Sequence, residues 1–147
     1  MATRRRAREI AVQILYELDL GSTRDEQSQT DFIRRRLGHH KALSEFCIGL
    51  VNGVGSQRDE IDTMLTESSS NWSLERMSPV DRNILRLGCF EISSGLTPDR
   101  VVINEAIEIA KRYSDSKSPA FINGILDRIG QQRKSESATD SPEPAEN

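Results

Sequence analysis

Four arginines open the chain, at Arg4, Arg5, Arg6 and Arg8, and Tyr16 follows them in the same apolar-periodic stretch. Stepping about 100° per residue around a helix axis puts Ala7, Ile10, Ala11, Ile14, Leu15 and Leu18 in one arc. Tyr16 falls opposite that arc, with Arg5, Val12 and, less closely, Arg8 on its side. Arg5 and Tyr16 are eleven residues apart, about 16 Å along the axis at ~1.5 Å per residue. Guanidinium groups at one end of a face and a ring at the other suit an unpaired RNA strand, which offers phosphates to neutralise and bases to stack. Arginine at a helix start is mildly opposed by the helix dipole, by roughly a few tenths of a kcal/mol each. The same residues also suit a merely solubilising helix end, and spacing alone does not separate the two.

Phe121 is a second ring of interest. It lies in the first turn after Ser118-Pro119, where unpaired backbone N–H groups attract anions, and Lys117 comes just before. It also borders the apolar stripe of its own helix, so packing on a neighbouring helix is the other reading.

Catalytic chemistry finds little support. His39 and His40 are adjacent in a short polar linker, away from any cysteine or serine nucleophile pattern. Glu105 and Glu108 share a helix with Lys111 and Arg112, which fits ordinary surface pairing. No glycine-rich phosphate loop follows a strand, and no metal-ligand spacing occurs. Cys47 and Cys89 stand 42 residues apart in apolar windows, as reduced buried thiols would. The expectation is a protein without enzymatic activity, cofactor or metal.

The elements that would position these residues are all helical. One helix ends at Gly21, and a weaker one runs from about Asp25 to Leu37 and closes at Gly38. Leu43, Cys47, Leu50, Val54, Ile61 and Leu65 predict one long helix carrying Gly49, Gly53 and Gly55. Glycines tolerated there point to a close helix crossing, or else to a break. Ser68-Ser69-Ser70-Asn71 reads as a connection, with Trp72 and Leu74 plugging its underside. Ser78-Pro79-Val80-Asp81 is a helix start with Ser as cap, and Gly95 is its stop. Thr97-Pro98-Asp99 opens the next helix, with Ile103, Ala106, Ile107, Ala110 and Tyr113 inward. Ser118-Pro119 opens the last, with Ile122, Ile125, Leu126 and Ile129 inward and Gly130 beyond. The fold class is all-α, with six or seven helices.

The chain has 147 residues and a formal charge of -3, with 35% hydrophobic and 5% aromatic residues. A generally basic nucleic-acid coat is excluded, and no apolar run reaches the ~18 residues of a membrane span. No apolar segment of the secretory kind follows the basic start, so the chain reads as cytoplasmic. Residues 131–147 lack every large apolar side chain and carry four acids, so an acidic disordered tail is expected there. Residues 1–130 form the ordered domain.

Three stretches together resemble the NusB family of bacterial transcription antitermination factors. They are Arg4-Arg5-Arg6-Ala7-Arg8-Glu9 running into Ala11-Val12-Gln13-Ile14-Leu15-Tyr16; Val80-Asp81-Arg82-Asn83-Ile84-Leu85-Arg86-Leu87 closing with Phe90-Glu91-Ile92; and Val102-Ile103-Asn104-Glu105-Ala106-Ile107-Glu108-Ile109-Ala110-Lys111 followed by Phe121-Ile122-Asn123-Gly124-Ile125-Leu126-Asp127. The resemblance spans residues 4–130, while residues 20–42 and the tail match loosely. It implies two three-helix subdomains, about 1–70 and 72–130, and binding to boxA-type single-stranded RNA of ribosomal RNA leader transcripts. It also implies a partner, the small-subunit ribosomal protein that acts as NusE, and loading onto RNA polymerase with other Nus factors.

By position, Arg4, Arg5, Arg6, Arg8, Tyr16, Lys117 and Phe121 fall on the family's RNA face. Asp81 falls where relatives touch the ribosomal partner through an acid, although it also fits a helix-capping role. Arg82 and Arg86 either flank that contact or pair with acids of the same chain. Asn104 and Asn123-Gly124 read as structural, a buried amide at a helix crossing and a small residue permitting close approach. Lys117 stands where some relatives carry an acid, and Ala120 where some carry a base. Two further readings are an all-α protein-interaction bundle acting as a homodimer, and a module like the RNA-guiding domain of ribosomal RNA cytosine methyltransferases. The absence of a cofactor-binding unit in this chain sets the latter apart from a stand-alone enzyme.

Overall fold

A computed structural model describes residues 2–69 and 73–140. Within them are seven α-helices, α1 (Arg4–Asp19), α2 (Glu26–Arg36), α3 (Lys41–Ser56), α4 (Arg58–Ser68), α5 (Pro79–Ser94), α6 (Asp99–Tyr113) and α7 (Ser118–Asp140). A short 3-10 turn, Leu74–Arg76, precedes α5, and no strand occurs among the described residues. Trp72, expected to plug the connection, lies outside them, as do the tail residues from 141 onward.

The caps follow local chemistry. Asp25 caps α2 by accepting from the Ser28 amide at 2.7 Å, and Ser78 caps α5 by accepting from the Asp81 amide at 3.2 Å. Gly95 ends α5 at φ 70°, a left-handed conformation that glycine adopts without a Cβ clash.

The predicted single helix over residues 43–65 is two. α3 ends at Ser56 and α4 begins at Arg58, with Gln57 at φ −113° and ψ 18° between them. The Ser56 hydroxyl donates back to the Gly53 carbonyl at 3.2 Å, and Asp59 and Glu60 sit in α4's first turn, where acids favour a helix start. The crossing expected of the glycines is real at one of them. A β-carbon on Gly53 would collide with the Phe90 ring of α5, whereas Gly49 and Gly55 face open space.

α7 does not stop at Gly130. It continues to Asp140, so residues 131–140 are helix rather than disordered tail. Gly130 packs on Asp99, Arg133 approaches the same carboxylate at 3.7 Å, and the Ser68 hydroxyl donates to the Gln132 amide oxygen at 3.4 Å.

α5, α6 and α7 pack against one another in the second half, and α1 lies between α3 and α5. Ile10, Ile14, Ile33, Leu37, Ile61, Leu65, Ile84, Leu85, Ile92, Ile122 and Leu126 are among the largest fully buried side chains. α1 is consequently buried from Ala7 through Val12 without interruption. In α6 the buried positions are Val102, Ala106, Ile109 and Ala110, so Tyr113, expected inward, lies outside the core. Asn104 and Asn123 are exposed and Gly124 meets no neighbour, so neither a buried amide nor a close approach exists there.

Candidate nucleic-acid face

Thr3 caps α1 by accepting from the Arg6 amide at 3.1 Å, and the first turn of the helix contains no acid. Arg4, Arg5 and Arg6 therefore gather at a helix end whose own dipole is already positive. Arg4 is exposed and lies over the Phe46 ring of α3 at 4.8 Å. Arg5 is half-exposed and donates twice to Glu105 of α6, at 2.8 and 3.1 Å. The Glu105 hydrogen bond and charge raise Arg5 further above its ordinary value, and Arg5 holds the Glu105 carboxyl below the usual carboxylate range. Arg6 sits 4.0 Å from Glu9.

Arg8 requires a correction. It is 4% exposed and grips the equally buried Glu91 of α5 through both Nε and Nη2, at 2.9 Å each. Its guanidinium also lies 5.1 Å from the centre of the Phe46 ring. Val12 is buried on the same side, facing a narrow seam with Leu87, Gly88 and Ala106. A wheel of α1 alone counts that side as open, but α5 and α6 cover its middle. Arg8 thus fastens helices together and is withdrawn from solvent.

The ends of this face remain accessible. Tyr16 is half-buried, seven residues beyond Glu9 and hence on the same side of α1. Glu9 draws in the end of α6, accepting from the Tyr113 hydroxyl at 2.6 Å and from Arg112 at 3.1 Å. Burial and the bond to Glu9 both raise the Tyr113 hydroxyl above its ordinary pKa. The turn after Tyr113 leads into α7, where Lys117 is exposed and Phe121 is half-buried, packed on the core edge. Neither ring is sealed inside the protein. The parts Glu9, Phe46 and Tyr113 play in organising this face are not legible in the sequence, because their partners lie on other helices.

The three candidates for a protein partner are committed to the fold. Asp81 is 8% exposed, and its carboxylate accepts from the hydroxyls of Ser114 at 2.6 Å and Ser118 at 2.8 Å. It ties the start of α5 to the α6–α7 turn. Arg82 donates to Asp19 at 2.6 and 2.8 Å and to the Leu74 carbonyl at 3.0 Å. Arg86 donates to Asp62 at 2.8 and 3.1 Å and lies 3.4 Å from Asp19. Both arginines thus pair with acids of the same chain. Burial alone would push the Asp19 carboxyl up, but hydrogen bonds from Arg82 and Asn83 and the Arg86 charge outweigh it and hold the group below its ordinary 3.8.

A basic run at the α2–α3 junction, not singled out from the sequence, becomes a corner in the fold. Arg34, Arg35 and Arg36 occupy the last turn of α2, and His39 and Lys41 follow within five residues. Cys47 and Cys89 are free and buried, and burial pushes both thiols up to about 12, which leaves them unreactive. Among the described residues no helix is long and apolar enough to cross a membrane.

Among the described residues the fold is wholly helical, with Arg4 and Arg5 exposed at the start of α1, which defines a class of small all-α proteins with a cationic helix start. Residues 5–131 match the model of the NusB family, and the chain belongs to that family. It is 41% identical over 130 residues to the transcription antitermination protein NusB of Anaeromyxobacter dehalogenans, covering 88% of this chain and 92% of that one. Against the protein of the same name from Trichlorobacter lovleyi it is 43% identical over 144 residues, covering 96% and 99%. Its fold matches T. maritima NusB with a TM-score of 0.78 at 35% identity, covering 92% of this chain and 99% of that one. It also matches a NusB solved with NusE and dsRNA, with a TM-score of 0.78 at 27% identity, covering 88% and 96%.

Proposed function

We propose that this chain is a noncatalytic transcription antitermination factor of the NusB kind, acting in the cytoplasm. It binds boxA-type single-stranded RNA of ribosomal RNA leaders together with the ribosomal protein that serves as NusE, and joins RNA polymerase with other Nus factors. The observation that carries this reading is the acid-free first turn of α1, where Arg4 and Arg5 reach solvent at a helix end that already attracts anions. Tyr16 and Phe121 supply half-exposed rings for bases, and Lys117 a further cation. Family membership and a relative solved with NusE and RNA support the same partners.

Arg8 acts in this reading by holding α1 against α5. Asp81, Arg82 and Arg86 act by fixing the start of α5, the region offered to the ribosomal partner. The experiment is a fluorescence anisotropy titration of a boxA-type single strand, with and without the NusE-type protein and against a duplex of the same sequence. Tighter binding of the single strand with the partner present is expected. Phe121→Ala should weaken it by about 1–3 kcal/mol, the range for loss of one stacked base. No binding to either RNA, or unaltered affinity in a folded Phe121→Ala protein, would remove the RNA or the ring from the reading.

A further inference from the structure

The corner between α2 and α3 holds a built cavity of about 300 Å³, lined by Arg34, His39, Lys41, Ser44, Glu45 and Ile48. An open cleft lined by Arg34, Arg35 and His39 with Ser28 and Asp31 adjoins it. Three features set this corner apart from a solvated charge run. Arg34, Arg35 and Lys41 form no ion pair with any described carboxylate, unlike Arg5, Arg8, Arg82 and Arg86. Ser44 is 3% exposed, and its hydroxyl is the one buried side-chain hydroxyl among the described residues that has no hydrogen-bond partner. Leaving such a group unsatisfied is costly, and Ser44 is one of the residues lining the cavity beside Arg34 and Lys41. The chain also turns through Gly38 at φ 62° and His39 at φ 60°, so a non-glycine residue is held left-handed to bring its ring to this spot.

We infer that this corner is a second phosphate-binding site, made by Arg34, Arg35, His39 and Lys41 with the Ser44 hydroxyl, which takes a backbone phosphate of the bound RNA. Guanidinium, ammonium and hydroxyl donors match a phosphate oxygen set, and Arg34, Arg35 and Lys41 outnumber the two acids of the cavity and its adjoining cleft, Glu45 and Asp31. The location favours RNA over an acidic protein surface. Lys41 starts α3, and Phe46, on which Arg4 lies, is five residues along the same helix, about 7.5 Å at ~1.5 Å per residue. Lys41 stands about 140° around α3 from Phe46 at ~100° per residue, so a strand lying on the first turn of α1 comes to this corner by crossing over α3. The inference rests on the RNA reading above, extending the strand's path across α3.

The test uses the full chain and an RNA strand long enough to run past α1. Arg34→Ala/Arg35→Ala should weaken binding about tenfold, as loss of a charged hydrogen bond does. It should also make the plot of log K against log salt shallower by about 0.7 for each phosphate no longer neutralised. Phe121→Ala should weaken binding with the slope kept. Ser44→Ala should weaken binding several-fold without loss of thermal stability, since no internal bond is removed. An unchanged slope in the double variant, with wild type binding normally, overturns the site. So does loss of the NusE-type partner with RNA binding intact, which would make the corner a protein surface. If wild type binds no RNA, the RNA reading itself fails, and inorganic phosphate followed by amide NMR shifts decides the corner separately. Shifts at Lys41 and Ser44 that vanish in the double variant support an anion site for free phosphate, and no shifts overturn it.

Discussion

Two helix starts in this molecule carry arginines, and they do opposite things with them. α1 opens with Arg4 and Arg5 in solvent, whereas α5 opens with Asp81, Arg82 and Arg86, each consumed by partners from α1, α4 or the α6–α7 turn. In sequence the two segments look alike, a cap, a run of charge and an apolar stripe. What differs is tertiary: α5 is packed by α1, α3, α4, α6 and α7, while Arg4 and Arg5 in the first turn of α1 are exposed. Arg8 marks the boundary, four residues along α1 from Arg4 and already inside. Pairing alone does not decide an arginine's chemistry, since Arg5 meets Glu105 and stays half-exposed; burial by neighbouring helices does.

The largest test of this contrast is the Arg8–Glu91 pair. Arg8→Ala should cost about 3–5 kcal/mol of stability in urea denaturation, because it strands a buried carboxylate. Arg8→Met with Glu91→Leu should recover most of that loss. A folded, stable Arg8→Ala protein with weakened RNA binding would instead move Arg8 to the outer set and break the contrast.

A second, intermediate effect concerns acid. The Asp19 carboxyl is held below its ordinary 3.8 in the folded protein. Its contribution is complete above about pH 4 and is lost as pH falls through the lower folded value. Urea titrations from pH 7 down to pH 2 should therefore show a steeper acid loss in wild type than in Asp19→Asn.

The smallest effect sharpens the comparison at its exposed end. Glu105 already occupies two donors of Arg5. Glu105→Gln should tighten RNA binding a few-fold in anisotropy titrations, while Arg5→Ala should make the salt slope shallower by up to about 0.7. Weaker binding in Glu105→Gln would show that the pair positions Arg5 rather than restraining it.

Where local chemistry decides an outcome, the sequence revealed it. Asp25, Ser78 and Gly95 mark helix ends as their side chains or lack of one require. The stripes of α1, α5 and α7 point to the core. Illegible were the outcomes decided by a neighbour. Val12 and Arg8 look outward on an isolated wheel because the wheel has no α5. The interruption at Gln57 depends on a hydroxyl bonding to the Gly53 carbonyl, which an apolar repeat does not register. Gly130 resembles a stop until Asp99 is seen packed against it. The Arg34–Lys41 corner needs the fold to bring a helix end, a left-handed turn and the buried Ser44 into one cavity.

The burial of α1 along two opposing sides makes that helix a shared axle between the halves of the molecule. A fragment cut at residue 70 would bare Val12 to water and deprive Arg8 of its carboxylate, and its complement would keep Glu91 with no cation. Dissection into autonomous modules is therefore opposed by the same helix that holds Arg4 and Arg5 out in solvent.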